Sequence, residues 1–157
     1  MSTRCHILVY DSIDADPENY IVAIYRHMDG YPESEHGDFG VVKDILEVAK
    51  MFKKAGKVGK KGIVDMDYFA ARLVQYMCNE QDRIVENASE VGDSDKVNGY
   101  GISKHILLGI SYAYKVFPDR IEVFDVHPIT EDEYISSPSD RDRVRIITRH
   151  KIMNIPL

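Results

Sequence analysis

The stretch Tyr20-Ile21-Val22-Ala23-Ile24-Tyr25-Arg26-His27-Met28-Asp29-Gly30-Tyr31-Pro32 decides how the N-terminal part folds, because an apolar run leads directly into a turn. Residues 20–25 are apolar and partly β-branched, which is typical of a strand. Asp29-Gly30 and Tyr31-Pro32 are turn dipeptides, and a proline has no N–H to donate to a sheet. Together with the similar run His6-Ile7-Leu8-Val9-Tyr10, the stretch predicts a pair of strands closed by a fixed turn.

Two later segments carry apolar side chains at three- and four-residue spacing, as amphipathic helices do. The first helix is predicted over residues 38–55, with Asp38 as its cap. The second is predicted from about 65 to 88, capped by Asp65 or Asp67, and is the longest element of the chain.

The C-terminal part changes from helical to alternating periodicity. Residues 89–101 are rich in Gly, Ser, Asn and Asp and predict an irregular loop. Residues 110–126 alternate on either side of Phe117-Pro118-Asp119-Arg120, which predicts a hairpin, and residues 144–148 predict one more strand. Two strands, two helices and about three strands predict a single α+β domain over residues 1–157. Its sheet is largely antiparallel, with two main helices on one face.

Composition limits the class of protein. The chain has 157 residues, 44% of them hydrophobic, which suits one domain with one core. Its net charge of −6 means that any nucleic-acid binding must use a local basic patch. Cys5 and Cys78 are too few for a disulfide framework or a zinc site, which indicates a reducing interior. The N-terminus lacks a signal-like apolar region, and no run approaches about 18 apolar residues, so we expect an intracellular protein without a membrane partner.

His27 and Asp29 form the first candidate site. They lie two residues apart, so they share a face if the strand continues through them, where an imidazole and a carboxylate can share a metal or a proton. In the alternative, Asp29 caps backbone amides of a turn and His27 packs against its surroundings.

A ridge on the long helix forms the second candidate site. Its members fall at positions i, i+3, i+4 and i+7: Asn79, Asp82, Arg83 and Glu86. Carboxylates on such a ridge can hold Mg²⁺ while an arginine faces a phosphate, which suits metal-assisted phosphodiester hydrolysis. The alternative is a solvated helix face. Glu80 differs, because it falls inside the apolar stripe and must be partnered, neutral or at a partly exposed edge.

Two basic patches are candidates for binding nucleic acid, since contacts with phosphates give affinity without reading sequence. The first lies at the end of the first helix and in the loop after it, and contains Lys50, Lys53, Lys54, Lys57, Lys60 and Lys61. The second contains Arg141, Arg143 and Arg145, which share a face if this segment is a strand. For the lysines, the alternative is a solvated connector.

Ser2-Thr3-Arg4, the strand end Ile24-Tyr25-Arg26-His27 and the turn Asp29-Gly30-Tyr31-Pro32 resemble a family of small viral proteins, which includes short phage proteins with the same motifs. The length and layout also resemble a small protein of the lipothrixviruses, which are filamentous archaeal viruses. That family has an α+β fold distantly similar to nucleotidyltransferases and is associated with nuclease action on linear double-stranded DNA.

The second resemblance implies a viral DNA nuclease of the host cytoplasm with Glu86 as its essential acid. In this hypothesis Glu86 and Asp82 bind a divalent metal, Mg²⁺, or activate water, and Arg83 and the basic patches orient the DNA. His27 and Asp29 are then a second part of the site or its scaffold. The alternative is a non-enzymatic viral binding module, such as a host-defence antagonist or a small-ligand or DNA-binding protein, in which the DGYP turn shapes a pocket or a homodimer interface.

Overall fold

Six strands form one sheet with helices on both of its faces. The computed structural model describes residues 3–33, 40–86, 99–103, 105–107, 109–137 and 139–157, without the side chains of residues 84–86. The helices are α1 (Val41–Lys54), α2 (Met66–Glu86), α3 (Glu131–Ile135) and α4 (Asp140–Ile147). The strands are β1 (Cys5–Val9), β2 (Val22–Arg26), β3 (Val58–Gly59), β4 (Gly62–Ile63), β5 (Tyr100–Ser103), β6 (Tyr112–Val116), β7 (Arg120–Asp125) and β8 (Lys151–Pro156).

The strand order in the large sheet is β5-β2-β1-β6-β7-β8, and β3 and β4 form a separate small hairpin. β1 and β6 pair in parallel, whereas the other neighbouring strands of the large sheet are antiparallel. This confirms the predicted α+β class and the largely antiparallel sheet. None of the helices in the described part of the chain combines the length and apolar character that a membrane span requires.

Side chains alternate between two cores because successive residues of a strand point to opposite faces. On the first face, Ile7 and Tyr114 pack against α1 and α2, which are the two main helices predicted for one face. On the second face, Leu8 and Ala113 pack in a smaller core that includes Tyr134 of α3. The short helices α3 and α4 therefore cover the face for which the sequence predicted no helix.

The two ends of the sheet carry different loops. We name the end at which β2 stops the turn end, and the end at which β1 stops the lysine end. α1 starts at the turn end, where the Val41 N–H donates to the Tyr31 carbonyl at 3.2 Å. α2 starts at the lysine end, where the Ile63 N–H donates to the Pro118 carbonyl at 2.8 Å. α2 thus runs back toward the turn end, and its Met77 sulfur lies 3.8 Å from Arg26.

The predicted strand over residues 144–148 is wrong, because this segment belongs to α4. Ser139 caps α4 by accepting a hydrogen bond from the Asp142 N–H at 3.3 Å, and Val144 and Ile147 are buried at helical spacing. The β-branched residues here suggested a strand, but tertiary burial and the cap favour a helix. The last strand is β8 instead.

Other boundaries differ by a few residues. α1 begins at Val41 after Gly40, and the predicted cap Asp38 lies outside the described residues. Of the predicted loop 89–101, residues 89–98 also lie outside them, whereas Tyr100 and Gly101 begin β5. Because β5 pairs with β2, a segment with weak strand propensity becomes an edge strand.

Candidate functional site

His27 and Asp29 do not extend the strand, so the condition under which they would share a strand face is not met. β2 ends at Arg26, and Asp29 has a positive φ of 53°. The Nδ1 atom of His27 lies 2.9 Å from the Tyr25 hydroxyl, and the Tyr31 hydroxyl donates to the Asp29 carboxylate at 3.1 Å. The two side chains therefore contact different tyrosines, His27 contacting Tyr25 and Asp29 accepting from Tyr31.

Backbone hydrogen bonds fix the DGYP turn against neighbouring elements. The Gly30 N–H donates to the Thr3 carbonyl at 2.9 Å, and the buried Tyr114 hydroxyl donates to the Gly30 carbonyl at 2.7 Å. The Pro32 carbonyl accepts from the Val42 N–H at 3.3 Å. The turn therefore joins β1, β6 and the start of α1.

Arg26, the last residue of β2, links this strand to the helices. Its guanidinium donates to the Asp44 carboxylate at 2.6 Å and to the Met28 carbonyl at 2.9 Å, and it lies 5.4 Å from the Tyr100 ring centroid. Arg26 and Asp44 are both buried. Burial is the larger influence on Asp44 and raises the pKa of its carboxyl, whereas the adjacent Arg26 acts in the opposite direction.

Glu80 of α2 lies beside this buried pair. Its carboxylate accepts from Arg83 at 2.7 Å, and its side chain is 37% exposed, so it is a partnered group at the edge of the apolar stripe. Burial raises the pKa of Tyr76, and the Glu80 and Asp44 carboxylates raise it further. Asp44, Tyr76 and Glu80 are thus close enough to interact electrostatically across the helix pair. We name this group the turn-end cluster: Arg26, Asp44, Tyr76, Glu80 and Arg83.

The predicted catalytic ridge lies on the same end of α2. Asp82 is exposed, and Arg83 pairs with Glu80. Glu86 ends the helix, but its side chain lies outside the described residues. Among the described residues there is no group of three or more His, Cys, Asp or Glu side chains able to hold a metal ion, and that set does not include Glu86.

The lysine patch lies at the opposite end of the helix layer. All six lysines of the predicted patch are exposed: Lys50, Lys53, Lys54, Lys57, Lys60 and Lys61. Lys57 lies 3.8 Å from Asp65, which directly precedes α2. At 1.5 Å per residue, Asp82 is roughly 24 Å further along the helix. The exposed lysines and the far end of α2 therefore do not lie in one cleft.

Acidic residues of the chain lie close to part of the lysine patch. Lys60 and Lys61 line a cavity of about 380 Å³ together with Asp11 and Asp14 from the loop after β1. The local positive potential is therefore weaker here than the sequence alone suggests.

The three predicted DNA-binding arginines lie on the second face, in α4 rather than on a strand. Arg141 and Arg145 are one helical turn apart, and both bind Glu18, at 2.6 and 3.3 Å. Arg143 lies 5.0 Å from the centroid of the Tyr134 ring. These arginines hold α4 against the rest of the chain and lie across the sheet from the turn-end cluster.

The sequence did not predict the Arg26–Asp44 pair, although it contained a signal for it. Arg26 shares the inward-facing strand positions of Val22 and Ile24, and Asp44 falls within the apolar stripe formed by Val41 and Ile45. A charged group at each buried position requires a partner of opposite charge.

A histidine group on the second face was also missed. His105 Nδ1 lies 2.7 Å from Asp140, and the buried His6 accepts from the Leu107 N–H through Nε2 at 2.9 Å. Burial lowers the pKa of His6 to about 4. His6 is therefore a neutral core residue at neutral pH.

No protein-family model, curated protein sequence or solved structure matches this chain. The resemblance to small viral proteins therefore stays a prediction.

Proposed function

We propose that this protein is a nuclease that cleaves linear double-stranded DNA, with its site at the turn end of α2. One observation carries the proposal: two carboxylates from different helices, Asp44 and Glu80, are close enough at this end to interact electrostatically, and Glu80 pairs with Arg83 at 2.7 Å. The acids predicted for metal binding, Asp82 and Glu86, belong to the same last two turns of α2.

The residue types suit a hard divalent cation. Asp82 and Glu86 would hold Mg²⁺ through carboxylate oxygens, which are the ligands that this ion prefers. Bound there, the ion would stabilise negative charge on the phosphodiester. Glu80 restrains the orientation of Arg83, and an arginine at this position suits a phosphate oxygen because its donors form a planar fork. The buried Arg26–Asp44 pair fixes the end of β2 against α1, beside Glu80.

The lysine patch has a separate role in this proposal, which is to hold the duplex away from the point of cleavage. A duplex lying along α2 covers the roughly 24 Å between the lysine end and Asp82 with about seven base pairs, at 3.4 Å per pair. The arginines of α4 do not take part, because they lie on the other face of the sheet and bind Glu18.

The experiment is cleavage of end-labelled linear duplex DNA by the purified protein in Mg²⁺ and in EDTA. We expect cleavage in Mg²⁺ alone, and a loss of at least about a hundredfold in Glu86→Gln, since losing one charge-stabilising group typically costs that much. Glu47→Gln is the matched control. It removes a carboxylate that pairs with Lys50 on the surface of α1 and should leave the rate unchanged. Equal rates for wild type and Glu86→Gln, or no cleavage with any divalent metal, would exclude the proposed site.

The alternative, a binding module built on the DGYP turn, has less support. The turn's carbonyls at Gly30, Tyr31 and Pro32 accept hydrogen bonds within the chain, and Gly30 packs against Thr3. A homodimer formed through this turn stays a prediction, which light scattering can test.

A further inference from the structure

A cavity of about 410 Å³ lies on the second face at the turn end, away from the proposed nuclease site. Its apolar lining consists of Ile110, Val126, Ile129 and the ring of Tyr134. Small-molecule sites typically measure about 300–1,000 Å³ and combine an apolar wall with a few polar groups. This cavity falls at the small end of that range.

Two opposite charges flank the cavity, and neither is neutralised within the described part of the chain. Arg4 is half-buried, yet its guanidinium makes no hydrogen bond or ion pair with a described residue. Glu131 is exposed, and its carboxylate likewise has no such partner there. The two do not pair with each other, so their charged atoms lie more than 4.0 Å apart. By contrast, the nearby Arg149 pairs with Glu133 at 3.0 Å.

The neighbouring groups cannot take over the role of either charge. The Thr130 hydroxyl already accepts from the Glu133 N–H as the cap of α3, and the Tyr134 hydroxyl donates to the Ile106 carbonyl. Gly109 turns beside Arg4 with φ of +75°, a conformation that suits glycine, and the position of its absent Cβ is 3.8 Å from the guanidinium. Arg4 and Glu131 are therefore the polar groups that a ligand would meet.

We propose that this cavity binds a small zwitterion with an apolar body, namely a free α-amino acid with an aliphatic or aromatic side chain. The carboxylate pairs with Arg4, the ammonium group with Glu131, and the side chain covers Ile110, Val126 and Ile129. A guanidinium–carboxylate pair gives orientation as well as affinity because it is bidentate. A phosphate ester or a nucleotide fits less well, because Glu131 repels its negative charge.

The test is a titration followed by the methyl NMR signals of Ile110, Val126 and Ile129. Leucine and phenylalanine are the probes. Their analogues without one charge, 4-methylpentanoate and 2-phenylethylamine, are the comparison ligands. We expect saturable shifts with the amino acids, and affinity at least about tenfold lower for each analogue and for Arg4→Ala and Glu131→Gln. Arg72→Ala, an exposed arginine of α2, is the control and should bind like wild type.

Two results would overturn the assignment. One is the absence of saturable shifts with either amino acid, and the other is equal affinity in wild type, Arg4→Ala and Glu131→Gln. Both substitutions are at groups without partners among the described residues, so folded variants are expected, and their dispersed spectra would verify this. DNA cleavage should be unchanged in Arg4→Ala, which separates this site from the nuclease site.

Discussion

The two faces of the sheet use charge in different ways. On the first face, the helix layer carries exposed lysines, of which Lys50 and Lys57 have exposed ion pairs, and an acidic end at Glu80. On the second face, Arg141 and Arg145 belong to a cluster of arginines that the sequence predicted as a binding patch. In the structure, both bind Glu18. The comparison teaches that a basic cluster predicts a binding surface only if its charges are not already used to hold the fold together.

The largest expected effect concerns the buried pair beneath the first face. Asp44→Ala leaves the Arg26 guanidinium buried without its partner, which should lower the free energy of unfolding by about 3–5 kcal/mol. Urea unfolding measures the change. Glu47→Ala, on the same helix but in an exposed pair with Lys50, should stay within about 1 kcal/mol of wild type. Equal losses in the two variants would show that the Arg26–Asp44 pair does not stabilise the turn end.

The next effect concerns the core of the second face, where burial lowers the pKa of His6 from 6.5 to about 4. The unfolded chain takes up a proton near pH 6.5, whereas folded His6 does so only near pH 4. The stability supplied by neutral His6 is therefore present above pH 6.5 and is lost as the pH falls to about 4, by about 3 kcal/mol in total.

The check is unfolding free energy against pH for wild type and His6→Gln. Glutamine keeps an acceptor for the Leu107 N–H but does not titrate. The slope between pH 6.5 and 4 should be shallower in the variant. Parallel curves would assign the acid sensitivity to other groups.

A smaller effect tests the two basic patches directly. A variant with Lys57, Lys60 and Lys61 changed to Ala should bind duplex DNA more weakly and reduce the slope of log K against log salt by about 2.7, because each lost phosphate contact contributes about 0.9. Arg141→Ala with Arg145→Ala should leave the slope unchanged. Fluorescence anisotropy at several salt concentrations measures both. A reversed pattern would place the DNA on the second face.

The smallest expected effect on stability concerns Glu18, the shared partner of Arg141 and Arg145. Glu18→Ala releases Arg141 and Arg145 and should cost about 1 kcal/mol, since the pairs are only partly buried. Thermal unfolding measures the loss. The same variant should bind DNA slightly more tightly than wild type, because two neutralised cations become available. Weaker DNA binding in Glu18→Ala would contradict the view that these charges are used internally.

The local sequence pattern was sufficient to predict much of the fold but not the arrangement of the candidate site. Alternation predicted β1, β2 and the β6–β7 hairpin, and helical spacing predicted α1 and α2 because each has one strongly apolar stripe. The assignment of α4 failed, since Val144 and Ile147 are β-branched and their burial depends on contacts far along the chain. The partners of Arg26 and Arg141 could not be predicted from the sequence either. Asp44 comes next to Arg26, and Glu18 next to Arg141, only through tertiary packing.

The most direct test of the nuclease site is a length series of end-labelled duplexes incubated with Mg²⁺ and either wild type, Glu86→Gln or the triple lysine variant. We expect Glu86→Gln to cut none of them efficiently. We also expect the lysine variant to be impaired only on duplexes extending more than about seven base pairs beyond the cut. Cleavage by Glu86→Gln at the wild-type rate, or lysine effects that do not depend on duplex length, would contradict the proposed nuclease site.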